Sequence, residues 1–270
     1  MDALNRSRWM RHGVLGFAFV APFLTLCFAE SHLFIALAPL VVSHGLFLYA
    51  TLVPNCQWLG PVMRSFATTE PETWLTIDDG PSPAHTIPIL DLLDKSGARA
   101  TFFVIGKHAE KYPHLITEVL ARGHAIANHT HTHPSGSFWA AGPKRTSAEI
   151  DQCAEHLRTA KDRPARLFRA PAGLRNLFLH PELARRGLVL VGWSIRGLDT
   201  VRRDAAQVAA KIVRGVRPGA IILLHEGHRV ESDPEFNLRC LEATLSGLAE
   251  KGYRCVIPQP EQLRQERAGK

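Results

Sequence analysis

The chain has 270 residues, enough for one large domain with a sizeable core or two small ones, and its 46% hydrophobic and 21% charged residues are ordinary globular usage. The formal net charge is +7, yet Lys and Arg are scattered and no basic run is interleaved with aromatics, so composition argues against a nucleic-acid partner. Cys27, Cys56, Cys153, Cys240 and Cys255 form no C-x-x-C pair, which argues against a cysteine zinc site and a dense disulfide framework.

The N-terminus begins with the basic residues Arg6, Arg8 and Arg11 and then runs uncharged over 13–29; a second apolar run covers 33–53. A spanning helix needs about 20 mostly apolar residues, which the second run meets comfortably and the first only just. Three readings fit: a helical hairpin crossing the membrane twice, a cleaved signal peptide followed by one anchor, or two buried soluble helices. The second lacks a clean small-x-small cleavage site. The early arginines should stay cytoplasmic, so two crossings return the chain to the cytoplasm and one leaves the main domain outside. Membrane lipid is then a partner of this end of the chain. Residues 54–70, with Pro54, Pro61 and the following Pro71, read as a linker, so 1–70 is expected to be anchor plus linker, 71–260 the main folded domain and 261–270 a polar tail.

Beyond the linker, short apolar runs at 74–77, 100–105, 124–127, 167–169, 188–193, 220–224 and 253–257 read as strands. Amphipathic stretches near 84–96, 107–121, 147–160, 180–186, 204–214 and 236–250 lie between them. Gly97, Gly123, Gly187 and Gly219 stand before several strands, where helices should end. This alternation predicts an α/β fold with a parallel sheet, either a distorted barrel or an open doubly wound sheet.

In such folds the site forms at the carboxyl ends of the strands. The residues there are Asp78-Asp79-Gly80-Pro81, Asn128-His129-Thr130-His131-Thr132-His133-Pro134, Arg169-Ala170-Pro171-Ala172-Gly173, Ser194 with Asp199, and His225-Glu226. Singly, each has an ordinary structural reading: a turn, a surface ion pair, a core histidine. Together they read as a metal-hydrolase site. His129 and His133 are four apart, so in a helical turn both rings face one side, and two His with one carboxylate suit a borderline divalent metal with open positions for water. His131, between them, should point elsewhere, exposed or behind the site.

The series Thr76-Ile77-Asp78-Asp79-Gly80, His129 to His133, Arg169 to Gly173, Trp193 to Asp199 and Leu223-Leu224-His225 resembles the polysaccharide deacetylase family, also called the NodB-homology domain or carbohydrate esterase family 4. The resemblance covers about residues 72–258. It implies a distorted (β/α)7 barrel behind an N-terminal hydrophobic membrane segment. It also implies a divalent metal ion, zinc by preference, held by Asp79, His129 and His133. Asp78 would be the general base, paired with Arg169. His225 would be the general acid, oriented by Asp199. Leu223 would line the acyl pocket, with Pro171, Ala172 and Trp139 contacting substrate.

Two departures stand out. Ala172 replaces the family's usual aromatic, leaving the backbone N–H as oxyanion donor but removing a wall of the sugar groove. Thr200 replaces a frequent Trp after Asp199. Trp139 or Phe138 would restore aromatic surface. The expected function is a metal-dependent hydrolase that removes an N-acetyl or N-formyl group from an amino sugar. Its partner is an N-acylated glycan or glycolipid, lipid-linked if the domain is cytoplasmic and cell-wall or exported if external. Two alternatives remain: a metal amidohydrolase on a small non-sugar amide, and a non-catalytic glycan-binding protein.

Overall fold

Two apolar helices, α1 (Ala3–Cys27) and α2 (Leu33–Leu52), open the computed structural model, which describes residues 3–30, 32–158, 166–227 and 233–263. They pack on each other, and both are long and apolar enough to cross a membrane by length and composition. Their outer flanks are bare: Phe19 is 73% exposed and Phe34 88%.

The remaining strands are β1 (Glu72–Asp78), β2 (Ala100–Val104), β3 (Ala125–Asn128), β4 (Leu167–Phe168), β5 (Val189–Leu190), β6 (Ile195–Arg196), β7 (Ala220–His225) and β8 (Arg254–Cys255). Their pairings are all parallel, in the order β5-β4-β3-β2-β1-β7-β6, with β8 also against β1. This curled sheet with helices outside is a distorted barrel, as expected. Each expected strand run overlaps an observed strand, and β6 is an addition.

Helices α3 (Thr86–Lys95), α4 (Gly106–Lys111), α5 (Pro113–Ala121), α6 (Pro143–Leu157), α7 (Leu179–Arg186), α8 (Ala205–Gly215) and α9 (Phe236–Glu250) cover the sheet. The expected helix 107–121 is two helices, because Pro113 has no N–H to continue α4 and instead starts α5. Helix α6 begins at Pro143 for the same reason, ahead of the expected 147. Of the expected helix end at 159–160 and the expected tail, residues 159–160 and 264–270 lie outside the described residues.

Strand side chains alternate, and both faces of this sheet are buried. Leu75, Ile77, Phe102 and Val104 point outward and pack under the helices. Trp74, Phe103, Ala127, Ile221 and Leu223 point inward and fill the barrel. By the same alternation Thr76 and Asp78 on β1 face inward, and the register sets Thr76 beside Leu223 and Asp78 beside His225.

Segment 54–70 forms no helix or strand, yet it is packed. Leu59, Val62, Met63 and Phe66 are each 5% exposed or less. Met63 N–H donates to the Leu190 carbonyl (2.9 Å), Gly192 N–H to the Met63 carbonyl (2.7 Å), and Phe66 N–H to the Gly219 carbonyl (3.0 Å). The segment therefore laces the β5 edge to the start of β7, where the described residues form no ladder between β5 and β6.

A buried arginine joins hairpin to barrel. Arg175, 1% exposed, donates to the carbonyls of Ala50 (3.0 Å), Val53 (2.8 Å) and Cys56. The last carbonyls of a helix lack intrahelical donors and carry partial negative charge, so this cation caps α2. Arg11 of α1 reaches the Leu177 carbonyl at 3.2 Å.

Candidate active site

Asp78 ends β1 and Asp79 follows it with φ 77°, which turns its carboxylate back over the barrel mouth. Its Oδ1 lies 3.4 Å from His129 Nε2 and 3.2 Å from His133 Nε2. His129 Nδ1 lies 2.8 Å from the Arg169 carbonyl. A carbonyl only accepts, so Nδ1 carries the proton and Nε2 presents its lone pair to the same point as Asp79 and His133.

The loop carrying both histidines is not the expected helical turn. Thr130 (φ 68°) and His133 (φ 50°) bend it sharply, because three polar side chains hold its N–H groups. Asn128 accepts from Thr130 N (3.0 Å), Thr130 Oγ1 from His133 N (3.2 Å), and Glu149 of α6 from His131 N (3.0 Å) and Thr132 N (2.8 Å). The histidine ring centroids still come within 4.8 Å. His131 points elsewhere, as expected, stacked on His156 at 5.4 Å.

Two imidazole nitrogens and one carboxylate oxygen thus converge, with the His129 tautomer already set: a donor set that fits a borderline divalent metal. Electrostatics agree. Burial disfavours protonating His129, but the charge of Asp78 and the hydrogen bond with Asp79 outweigh it and raise its pKa. Such concentrated negative charge is what a divalent cation neutralises.

Asp78 Oδ1 accepts from Arg169 at 2.6 Å, and its Oδ2 lies 3.6 Å from His129 Nε2. Arg169 is itself buried. It donates to Thr76 Oγ1 (2.8 Å) and the Gly192 carbonyl (2.8 Å), and its guanidinium lies 4.0 Å above the Phe103 ring. Across the mouth, Asp199 Oδ1 lies 3.0 Å from His225 Nδ1 while Oδ2 accepts from the His225 N–H at 2.7 Å. Burial favours the neutral ring, but the Asp199 charge and hydrogen bond prevail and lift His225 to about 9. The site thus pairs a carboxylate held by a fixed cation with a protonated imidazole on the adjacent strand.

The other expected positions divide. Leu223 is buried in the barrel lumen one layer below His225. Pro171 is buried, and Ala172 (φ 53°) stands exposed on the rim. Trp139 is half-buried in the turn Phe138–Ala140, and its Nε1 donates to the Gly136 carbonyl at 3.2 Å. Phe138 cannot restore aromatic surface: it is fully buried, packed on Phe168. Glu226 was named with His225 at the end of its strand but given no role, since a Glu beside a histidine carries no further signal. It is wholly buried near the site, hydrogen-bonded to Thr86 (3.1 Å), and burial pushes its carboxyl up to about 8.

The family model described as polysaccharide deacetylase matches residues 66–191. A chitooligosaccharide deacetylase of Sinorhizobium fredii is 39% identical over 172 residues, covering 63% of this chain and 79% of that protein. A chitooligosaccharide deacetylase of a Bradyrhizobium species is 34% identical over 68% of this chain and 82% of that protein, and a peptidoglycan-N-acetylglucosamine deacetylase of Bacillus cereus is 32% identical over 67% of this chain and 84% of that protein. Among solved structures, a family 4 carbohydrate esterase from Streptomyces lividans in complex with acetate superposes with a TM-score of 0.62 at 29% identity, over 70% of this chain and 94% of that one.

Proposed function

Because the chain belongs to the polysaccharide deacetylase family, a family of hydrolases acting on N-acetyl amide bonds, we propose that it removes the N-acetyl group from an N-acetylglucosamine-type amino sugar in a glycan. One observation carries this reading: the donor set of Asp79, His129 and His133 lies against Asp78, which is paired with Arg169 and stands in register with His225 and its partner Asp199.

Asp79, His129 and His133 would hold the divalent ion, zinc by preference. When bound, that ion lowers the pKa of water and polarises a carbonyl. Asp78, held by Arg169, takes the proton from the attacking water. His225, charged through Asp199, gives a proton to the departing amine nitrogen, without which the C–N bond would expel a poor leaving group. A base and an acid with divergent pKa values is the arrangement such a reaction needs. The Ala172 N–H faces the developing oxyanion, and Leu223 floors the space for the acetyl methyl.

The hairpin, on this reading, lies in the membrane with the barrel on the face that bears the chain's early arginines. Support comes from the joint: the beginning of α1 and the end of α2 both meet the barrel, through Arg11 and Arg175. The test is acetate release from N-acetylated chitooligosaccharides and glycolipids by the full chain with added zinc. Asp78→Asn should retain zinc but lose about 10²-fold or more of the rate, the scale of general-base catalysis. Full activity in that variant removes the assignment.

A further inference from the structure

The two ends of the hairpin and the chain leaving α2 line a half-open cavity of about 660 Å³. That is the size of a small-molecule site. Its lining includes Arg6 of α1, Tyr49 of α2, and Asn55, Gln57, Trp58 and Arg64 of the following segment. No Asp or Glu lines it, and among the described residues neither arginine has a carboxylate partner. With its amide oxygen turned to Arg64, Gln57 accepts from that guanidinium at 3.1 and 3.2 Å, which orients the cation. The Tyr49 and Trp58 rings meet at a tilt with centroids 4.8 Å apart, and Trp9 is 71% exposed on α1. Tyr and Trp gather where a helix leaves the bilayer, so with the hairpin in the membrane, as proposed above, this cavity would lie at headgroup depth.

The same segment forms the back of the active-site wall. Asn55 accepts from Trp193 N–H (3.3 Å) and donates to the Trp193 carbonyl (2.9 Å). The preceding Gly192 carbonyl is an acceptor of Arg169, which holds Asp78. Gly192 must lack a side chain, because a Cβ there would run into Asn55. Gly173, at φ 72° on the rim, is equally confined: a Cβ would stand 2.6 Å from Trp193 and 2.9 Å from Pro54. Cavity and catalytic mouth thus share a wall.

We propose that this cavity binds the phosphate of a membrane-anchored sugar phosphate, so that the substrate is an N-acetylated amino sugar esterified to a lipid phosphate. This rests on the deacetylase reading and narrows it. Two uncompensated guanidinium groups favour a phosphate and give nothing to a neutral chitooligosaccharide. Their depth selects a phosphate whose tail stays in the bilayer while the sugar reaches over Trp193 to the metal donors.

The experiment uses the full chain with zinc in phosphatidylcholine vesicles. Acetate release is compared for N-acetylglucosamine joined through phosphate to a polyisoprenol, the same sugar on a neutral dialkylglycerol, and soluble N-acetylglucosamine 1-phosphate. The phosphate-linked lipid should exceed the neutral glycolipid by about tenfold in kcat/KM, the worth of a charge-assisted contact. Arg6→Gln and Arg64→Gln, both at exposed positions, should bring that ratio toward one, and Arg64→Lys should keep part of it. Equal rates on the two lipids overturn the proposal, as does a soluble phosphate ester that performs as well as the lipid. Binding of a fluorescent isoprenyl phosphate is measured in parallel. Acetate from none of the substrates would sink the deacetylase reading, while saturable binding weakened in Arg64→Gln would still uphold the phosphate site, and absence of binding would end it.

Discussion

Asp199 reaches His225 twice, at the ring and at the backbone N–H, so one carboxylate both aims the imidazole and charges it. Replacing it by Asn keeps hydrogen-bonding capacity and removes the charge. Burial is then opposed mainly by the charges of Asp78 and Asp79, and the His225 pKa falls from about 9. An acid works only while protonated, so activity is lost as pH rises through its pKa. Asp199→Asn should therefore move the alkaline limb of kcat/KM toward acid by about two units or more. Coincident pH profiles would show that another group is the acid.

Among elements, the loop between β3 and α6 decides whether the histidines meet. Its sharp bends leave N–H groups that no helix or strand satisfies, and Glu149 takes two of them plus the Thr132 hydroxyl at 2.5 Å. Glu149→Ala should leave the barrel folded but weaken zinc binding by about 10–100-fold, as loss of an outer partner of a metal ligand does. Competition with a chelator measures it, and unchanged affinity would mean that the loop holds itself. This brace was not legible in the sequence, where Glu149 is one more acid on an amphipathic helix. The strands were legible because a parallel strand buried on both faces reads as a short apolar run. Strand β6 was not, since its pair Ile195 and Arg196 forms no such run. The spacing of His129 and His133 pointed to a shared direction through the wrong geometry: bends, not a helical turn, bring the rings together. Arg175 gave no signal, because a basic residue in a loop reads as solvated until the carbonyls it caps are placed beside it.

At the scale of the molecule, the segment between hairpin and β1 is structural. Met63 and Phe66 fill the barrel lumen with Trp74 and Phe103. Phe66→Ala should cost about 3–5 kcal/mol, a fall in Tm on the order of 10 °C, read by thermal unfolding of the full chain in detergent. An unchanged Tm would mean that the segment merely rests on the barrel. A chain beginning at Glu72 loses these side chains and also the carbonyls that receive Arg175, leaving a buried cation without acceptors, and should fare worse than Phe66→Ala.

Residues 63–66 leave the ribosome early, and the strands that clasp them, β5 and β7, leave late. On the proposed topology the hairpin has entered the bilayer by then, and the barrel is completed around a segment already moored. A newly made chain whose hairpin misses the membrane would carry an open seam with Met63 and Phe66 bare, a ready mark for quality-control proteolysis. On that topology the seam would tie the finished barrel to the place where its hairpin was inserted.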